Sequence, residues 1–212
     1  MLYLVFVLLI EKIVQYQLEH VHLCLLQILL GAATTLFSGF TISSELNHIE
    51  ETLLYNLKNK VYNIAIFNHA IEDEELVSVK TSYEKLYLVI EKNSPLAKKD
   101  GIYLSELDNK NILLYSQIGF WYELLKSKAP NANLLIQHDD NTFNTLINTT
   151  SFPSFATNKS LSRRSISNYK TLIPILDKEA TVDYYCVVLK DNYKKFNNLF
   201  NYVKNHENIH NI

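Results

Sequence analysis

The chain has 212 residues, of which 48% are hydrophobic and 20% are charged, so we expect an ordered globular protein with one large core or two small ones. Its formal net charge is −2, and its basic residues are lysines scattered among acidic residues, apart from Arg163 and Arg164. This composition lacks the basic face that direct nucleic-acid binding needs, and we expect none by this chain.

The N-terminal region is strongly apolar. Residues 2–10 are all hydrophobic, but nine residues are too few to span a bilayer, and no positive segment of a secretory signal precedes them. Residues 21–44 are uncharged and long enough for a membrane helix, yet they contain His22, Gln27 and several hydroxyl side chains. We treat residues 1–11 as an apolar leader of unclear role and expect no membrane span.

Helix and strand patterns alternate over the first third of the chain. Asn47 and Glu50 have the spacing of a capping box, and Ile49, Leu53 and Leu57 share one helical face. Around this helix the pattern predicts strands at 12–18, 40–43 and 61–67 and an apolar helix at 21–37. The order β-α-β-α-β is typical of a parallel sheet.

The segment Lys85–Ala97 is the clearest strand. Leu86, Leu88 and Ile90 alternate with Tyr87 and Val89, and Asn-Ser-Pro closes the run. Beyond it the patterns predict strands at 111–116, 134–137, 171–177 and 182–190 and helices at 120–128 and 142–148. Residues 160–167 are predicted as a surface loop. The chain is predicted to end in an amphipathic helix with an apolar face of Phe196, Leu199, Phe200 and Val203. Asp140 or Asn141 is the predicted cap of the helix at 142–148.

The block Ser94-Pro95-Leu96-Ala97, which follows a strand and precedes the Leu-rich segment 102–107, resembles the effector-binding domains of LysR-type transcriptional regulators. The resemblance extends in element order from Lys12 to Lys204. It includes a helix with Glu-Glu-x-Leu-Leu and a strand ending in Ile-Ala-Ile. Family members usually have a Gly-rich turn near 149–156, whereas this chain has no glycine there.

This resemblance implies an α/β, periplasmic-binding-protein-like (type 2) fold of two α/β subdomains with a ligand cleft between them. Subdomain I would comprise residues 12–112 plus 184–212, and subdomain II residues 113–183, with hinge strands near Leu113 and Asp183. Ligand binding in the cleft would change the relative orientation of the two lobes.

The family places a winged helix-turn-helix ahead of this domain, and residues 1–12 do not form one. The chain therefore resembles a truncated regulator, which is either functional or a gene fragment. The resemblance further implies a cytoplasmic protein that forms a homodimer or a heterodimer with a full-length relative. The alternative is an extracytoplasmic solute-binding protein of the same fold, for which Cys24 lacks a lipoprotein cleavage site.

Motifs for catalysis are missing. The sequence has no Gly-rich phosphate loop, no nucleophile elbow and no Cys or His pair at metal spacing apart from His20 and His22, which lack a third ligand. Cys24 and Cys186 lie in apolar runs typical of buried free thiols. We therefore predict a protein that is not an enzyme and has neither cofactor nor metal.

A binding site is easier to place. Ligands of open α/β sheets collect beyond the carboxyl ends of the strands, near helix N-termini. Hydroxyl and amide side chains follow the predicted strands and suit a small polar or anionic effector; the same side chains also serve as ordinary helix caps. The predicted ligand-binding residues are His20, Asn68, Ser116, Gln117, Thr150 and Ser151. Arg163 and Arg164 are further candidates for a carboxylate.

Overall fold

A computed structural model describes residues 3–8, 23–37, 42–47, 49–116, 118–161 and 165–209. The strands are β1 (Tyr3–Leu8), β2 (Ile42–Asn47), β3 (Ile64–Phe67), β4 (Leu76–Glu91), β5 (Asn111–Tyr115), β6 (Asn133–Gln137), β7 (Ser154–Thr157), β8 (Lys170–Pro174) and β9 (Thr181–Leu189). The α-helices are α1 (Leu23–Leu36), α2 (Glu50–Lys58), α3 (Trp121–Lys128), α4 (Asp140–Thr149), α5 (Asn158–Leu161) and α6 (Tyr193–Ile209).

The chain divides into two compact units. Unit 1 contains residues 1–83 and 183–212, and unit 2 contains residues 84–182. The chain passes from one unit to the other inside β4 and again inside β9. The sequence placed residues 84–112 in the first subdomain. In the structure they belong to unit 2, because the second half of β4 pairs with β7 and β8.

Unit 1 has a sheet in the order β2-β1-β3-β9-β4. β1 lies between β2 and β3 and is antiparallel to both, so β2 and β3 run parallel without being neighbours. β3 and β9 are also antiparallel. The predicted parallel sheet is thus wrong for these pairs, because part of the apolar leader is a strand inserted between the two. The predicted strand at 12–18 lies outside the described residues.

The core of unit 1 includes one face of α2. Leu53 and Leu57 are fully buried against Phe67 of β3 and Val187 of β9, as the helical spacing predicted. Ile49, the third residue of the predicted face, lies before the helix and is 55% exposed. The predicted capping box is wrong, since Asn47 ends β2 and Ile49 precedes the helix without a side-chain cap. Glu50 and Glu51 at the start and Lys58 at the end instead complement the helix dipole.

The predicted C-terminal helix packs as expected. Phe196, Leu199, Phe200 and Val203 of α6 are fully buried. The ring of Phe196 lies 5.6 Å from that of Phe37, at the end of α1, in an edge-to-face contact. Burying four such side chains removes a large apolar area from water and fixes α6 on unit 1.

Unit 2 has a sheet in the order β8-β4-β7-β5-β6. β4 is antiparallel to both β7 and β8, whereas β5 is parallel to β6 and to β7. Phe143 and Ile147 of α4 are buried on one face of this sheet against Val89, Leu113 and Ala156. The other helix of the predicted second subdomain, α3, buries Trp121 and Leu125.

The Ser94–Ala97 block forms a short 3₁₀ turn, at Pro95–Lys98, and the Leu-rich segment after it forms another at Leu104–Leu107. Leu104 and Leu107 are fully buried, so this segment packs as predicted, although it is too short for an α-helix.

Cys186 provides a test of the packing in unit 1. Its side chain is fully buried, burial raises the pKa of its thiol to about 12, and the hydroxyl of Thr81 lies 3.4 Å from its sulfur. Since the thiolate is the reactive form, we expect iodoacetamide to leave Cys186 unmodified in the folded protein at mildly alkaline pH and to modify it after denaturation. Peptide mass spectrometry distinguishes this site from Cys24, and rapid native labelling of Cys186 would contradict the packing.

Candidate functional site

The three parallel strands of unit 2 end at one edge of its sheet. β5, β6 and β7 finish at Tyr115, Gln137 and Thr157, and each is followed by polar residues. Two of them lead directly into helices of eight or more residues, α3 and α4. This is the kind of edge at which open α/β sheets bind ligands, because the helices begin there with unpaired backbone N–H groups.

Ser116 lies at this edge. Its backbone N–H donates to the carbonyl of Gln137 at 2.8 Å, which ties the turn after β5 to the end of β6, and its side chain is half-buried. The turn continues through Gly119, whose φ of 65° favours glycine. α3 then begins at Trp121 without a side-chain cap. The N–H of Tyr122 donates to the carbonyl of Gly119 at 3.1 Å, and Glu123 places one carboxylate in the first turn.

The start of α4 is different because it is capped by a carboxylate side chain. The Asp139 carboxylate accepts the N–H of Thr142 at 2.7 Å, and this cap lies one residue before the predicted one. Hydrogen bonds from the hydroxyl and backbone N–H of Thr142 hold the pKa of Asp139 below its usual value. Asp140 adds a second carboxylate in the first turn. The positive end of this helix is therefore already compensated, which disfavours an anionic ligand there.

Thr150 and Ser151 lie at the opposite edge of the same sheet. Leu113 pairs with Ser154, so Ser116 lies beyond this pair in the strand direction and Ser151 lies before it. At about 3.3 Å per residue, the strands separate Ser116 from Ser151 by on the order of 20 Å. The structure thus does not bring these predicted residues together.

Thr150 is the C-cap residue of α4. Both its Oγ1 and its backbone N–H donate to the carbonyl of Leu146, at 2.8 and 3.0 Å. Ser151 is exposed. Thr150 therefore has a structural role as a helix C-cap, and its oxygen retains the capacity to accept a hydrogen bond.

The loop at 150–153 contains no glycine, and it is supported by a buried lysine that the sequence did not indicate. Lys170 at the start of β8 is 4% exposed, and its ammonium donates to the carbonyl of Phe152 at 3.3 Å. The carbonyl of Pro153 also accepts the N–H of Leu113 at 2.8 Å. None of these loop residues has a positive φ, so the loop does not require glycine.

The environment of Lys170 disfavours its charge. Burial lowers the pKa of its amine, and Glu91, its neighbour in register on β4, only partly offsets this. In the described part of the chain, no carboxylate lies within 4.0 Å of the Lys170 ammonium. From sequence, a lysine just before a strand is usually exposed, so the pattern gave no signal for this residue.

In unit 1, Asn68 directly follows β3 and is half-buried. Its side-chain oxygen lies 3.1 Å from Nδ1 of His69, and Nε2 of the same ring lies 3.5 Å from the carboxylate of Glu50 at the start of α2. Asn68 is therefore the first member of a polar chain that runs to the N-terminus of α2. The remaining candidates His20, Gln117, Arg163 and Arg164 lie outside the described residues.

Two negative findings apply to the described ranges only. They contain no group of three His, Cys, Asp or Glu side chains able to hold a metal ion. No helix in them has the length and apolar character needed to cross a membrane.

No protein-family model matches the chain, and no curated protein sequence is significantly similar to it. Solved structures do match. The regulatory domain of MetR, a LysR family regulator from N. meningitidis, superposes with a TM-score of 0.59 at 11% identity, over 91% of this chain and 91% of that chain. The reduced OxyR regulatory domain from Pseudomonas aeruginosa gives 0.54 at 11% identity, over 87% and 92%.

A third structure contains a ligand. The regulatory domain of Synechocystis CcmR in complex with 2-PG matches with a TM-score of 0.54 at 15% identity, over 87% of this chain and 93% of that chain. At these identities the likeness establishes the fold. The chain has the α/β fold of LysR-family regulatory domains, which is the type 2 periplasmic-binding-protein-like fold.

The Asp139 cap gives a test of this edge. We expect Asp139→Ala to lower the melting temperature near neutral pH, because the N–H of Thr142 loses its acceptor. The pKa of Asp139 is depressed, so its contribution is present above the usual aspartate pKa of 3.8 and is lost as the pH falls through the lower folded value. The difference from the wild type should therefore disappear in acid. Asn141→Ala, in the same exposed turn, is the control and should change little.

Lys170→Met tests the buried amine. Because burial lowers the pKa of Lys170, its charge opposes folding below the folded pKa, and this cost disappears as the pH rises towards the unfolded value of 10.5. We expect the variant to be more stable than the wild type at neutral pH, with the advantage shrinking at alkaline pH. Urea unfolding across this pH range measures it. Lys126→Met, at an exposed position of α3, should show no such trend, and a destabilised Lys170→Met would show that the bond to Phe152 dominates.

Proposed function

We propose that this chain is the small-molecule effector-sensing domain of a LysR-type transcriptional regulator. The observation that carries the proposal is the fold, which matches regulatory domains of that family over about nine-tenths of the chain. The absence of a basic face in the sequence favours a sensing role over direct DNA contact. The proposed setting is cytoplasmic, and the proposed activity is binding without catalysis.

The effector we propose is small and polar or anionic. Within unit 2 the start of α3 is the better place for its acidic group, since it has no side-chain cap and one carboxylate, Glu123, whereas the α4 start is capped by Asp139 and also contains Asp140. Ser116 and Gln117 are the proposed side-chain contacts there. The CcmR regulatory domain was solved with 2-PG, which supports a small ligand for this fold.

Asn68 and His20 stay in the proposal as secondary contacts, whereas Thr150 and Ser151 do not belong to the site around Ser116. Asn68 follows β3, and its amide group is half-buried. Thr150 and Ser151 lie at the other sheet edge from Ser116, so a small effector that touches Ser116 within unit 2 would not reach them. A homodimer, or a heterodimer with a full-length relative, is the proposed assembly.

A thermal-shift screen with organic acids, amino acids, sugars and nucleosides tests the function. A ligand at about 100 times its Kd should stabilise the fold by roughly 2.7 kcal/mol, which moves the melting temperature by a few degrees. For a positive compound, we expect Ser116→Ala to weaken binding about five- to tenfold through the loss of one hydrogen bond.

Ser127→Ala is the matched control, because Ser127 is an exposed serine of α3 whose hydroxyl bonds only to the carbonyl of Leu124. Equal affinity of the Ser116→Ala variant and the wild type would remove Ser116 from the site while leaving the sensing function intact. A cooperative melt that no compound shifts would count against the sensing function itself.

A further inference from the structure

Trp121 is the only tryptophan of the chain and the first residue of α3. Its side chain is 1% exposed, and its indole N–H has no hydrogen-bond partner. The indole nitrogen is a donor only, so the group it lacks is an acceptor. Buried polar groups in native proteins are nearly always paired, and an orphaned donor beside a ligand site is therefore a candidate for pairing with the ligand.

The crossovers of unit 2 place α3 and α4 on opposite faces of its sheet. α3 connects β5 to β6, whereas α4 leads from β6 back across β5 to β7. These strands are parallel, and right-handed crossovers that run in opposite directions put their helices on opposite faces. Leu113 and Tyr115 pack with α4. Because side chains alternate along a strand, Leu114 and Ser116 point to the face of α3.

Ser116 follows this alternation although it lies one residue beyond β5. Its backbone N–H donates to Gln137 at 2.8 Å and so extends the ladder that joins β5 to β6. Helical side chains lean towards the N-terminus of their helix, so the Trp121 indole leans towards the turn at 116–120. Its ring centroid is 4.0 Å from that of Phe120 in this turn. The Ser116 hydroxyl and the Trp121 indole therefore lie on one face of the sheet and at the same edge.

We propose that, at the effector site of the proposed function on which this inference rests, the indole N–H of Trp121 donates to a carboxylate oxygen of the effector. Trp121 thereby makes the site selective for a carboxylate over an ammonium group. A carboxylate has acceptor oxygens for both Trp121 and Ser116, whereas an ammonium group has only donors and would leave the indole N–H unpaired. The positive end of α3 also favours an anion, and Glu123 opposes it only weakly because its side chain is exposed to water.

The carboxylate reaches the buried indole when the turn at 116–120 moves. Two backbone hydrogen bonds hold this turn, from the N–H of Ile118 to Tyr115 at 3.2 Å and from the N–H of Tyr122 to Gly119 at 3.1 Å. The turn residue whose ring lies against the indole, Phe120, is itself only half-buried. A local opening of this short turn exposes the indole N–H without unfolding the core of unit 2.

Hydrogen exchange tests whether the N–H opens locally. Trp121 gives the one indole signal in a proton–nitrogen correlation spectrum of the full chain. We expect this N–H to exchange at a rate that low concentrations of urea leave unchanged, whereas the amide of Leu113, bonded to Pro153 at 2.8 Å, should exchange faster as urea promotes unfolding. An indole N–H that exchanges only through global unfolding would overturn the proposal.

Acetate and ethylammonium test the selectivity, because they have similar size and opposite charge. Each is titrated to about 100 mM at constant ionic strength, since such small ions bind only weakly. We expect acetate to move the indole signal and to raise the melting temperature, and ethylammonium to do neither. An indole signal that acetate leaves in place, or that both ions move equally, contradicts the proposal.

Trp121→Phe keeps an aromatic ring but has no N–H. We expect it to bind acetate about five- to tenfold more weakly than the wild type, as measured by the shift in melting temperature, because one hydrogen bond is lost. Ser127→Ala is again the control and should respond like the wild type. The wild-type spectra do not depend on this variant, so they decide the question even where Trp121→Phe folds poorly.

The sensing function and the Trp121 contact fail in different ways. A compound from the thermal-shift screen that stabilises the fold without moving the indole signal would remove Trp121 from the site and leave the sensing function intact. An indole that responds to acetate, in a chain that no compound of the screen stabilises, would keep the carboxylate contact while the sensing function fails.

Discussion

The fold depends on one long strand that belongs to both units. The first half of β4 pairs with β9 in unit 1, and its second half pairs with β7 and β8 in unit 2. Near the passage from one unit to the other, Thr81, Ser82 and Glu84 are only 3–4% exposed, which is unusual for polar side chains. Burial of such groups is tolerated only with hydrogen-bond partners, and Thr81 has the carbonyl of Tyr184 and the sulfur of Cys186, each at 3.4 Å. Lys80 adds an exposed ion pair with Asp183 at 2.6 Å. Any change that disturbs this part of β4 acts on both cores.

In unit 2, hydrogen bonds hold in place a loop that contains no glycine. The loop before β7 follows a path open to ordinary residues, and it is fixed by Leu113 from one side and by the Lys170 amine from the other. A neutral carbonyl is a weak partner for a buried ammonium, so the buried charge of Lys170 destabilises the folded state while its hydrogen bond holds the loop in place. The loop adjoins Thr150 and Ser151, and its order therefore matters to any ligand that uses them.

The sheet in unit 2 has two edges of different character. The carboxyl edge contains turns and helix starts; α3 has no side-chain cap and one carboxylate in its first turn, Glu123, whereas α4 is capped by Asp139 and also holds Asp140. The lateral edge is formed by β6, an uncharged strand whose outer side pairs with no other described strand.

The sequence by itself determined most local elements and the apolar faces of the helices, because periodicity is set by residues close together in the chain. The burial of Leu53 and Leu57 in α2, the apolar face of α6 and the strand at Lys85–Ile90 were predicted correctly, whereas Ile49 is exposed. The short Ser-Pro-Leu-Ala block indicated a fold that the solved structures confirm. Only the tertiary structure decided which strands pair. In the folded protein β1 lies between β2 and β3, and β4 belongs to both units. Lys170 is buried, and Ser116 and Ser151 lie at opposite edges of the sheet. Strand partners come from distant parts of the chain, and a period-2 pattern marks the buried face of a strand without identifying its neighbour.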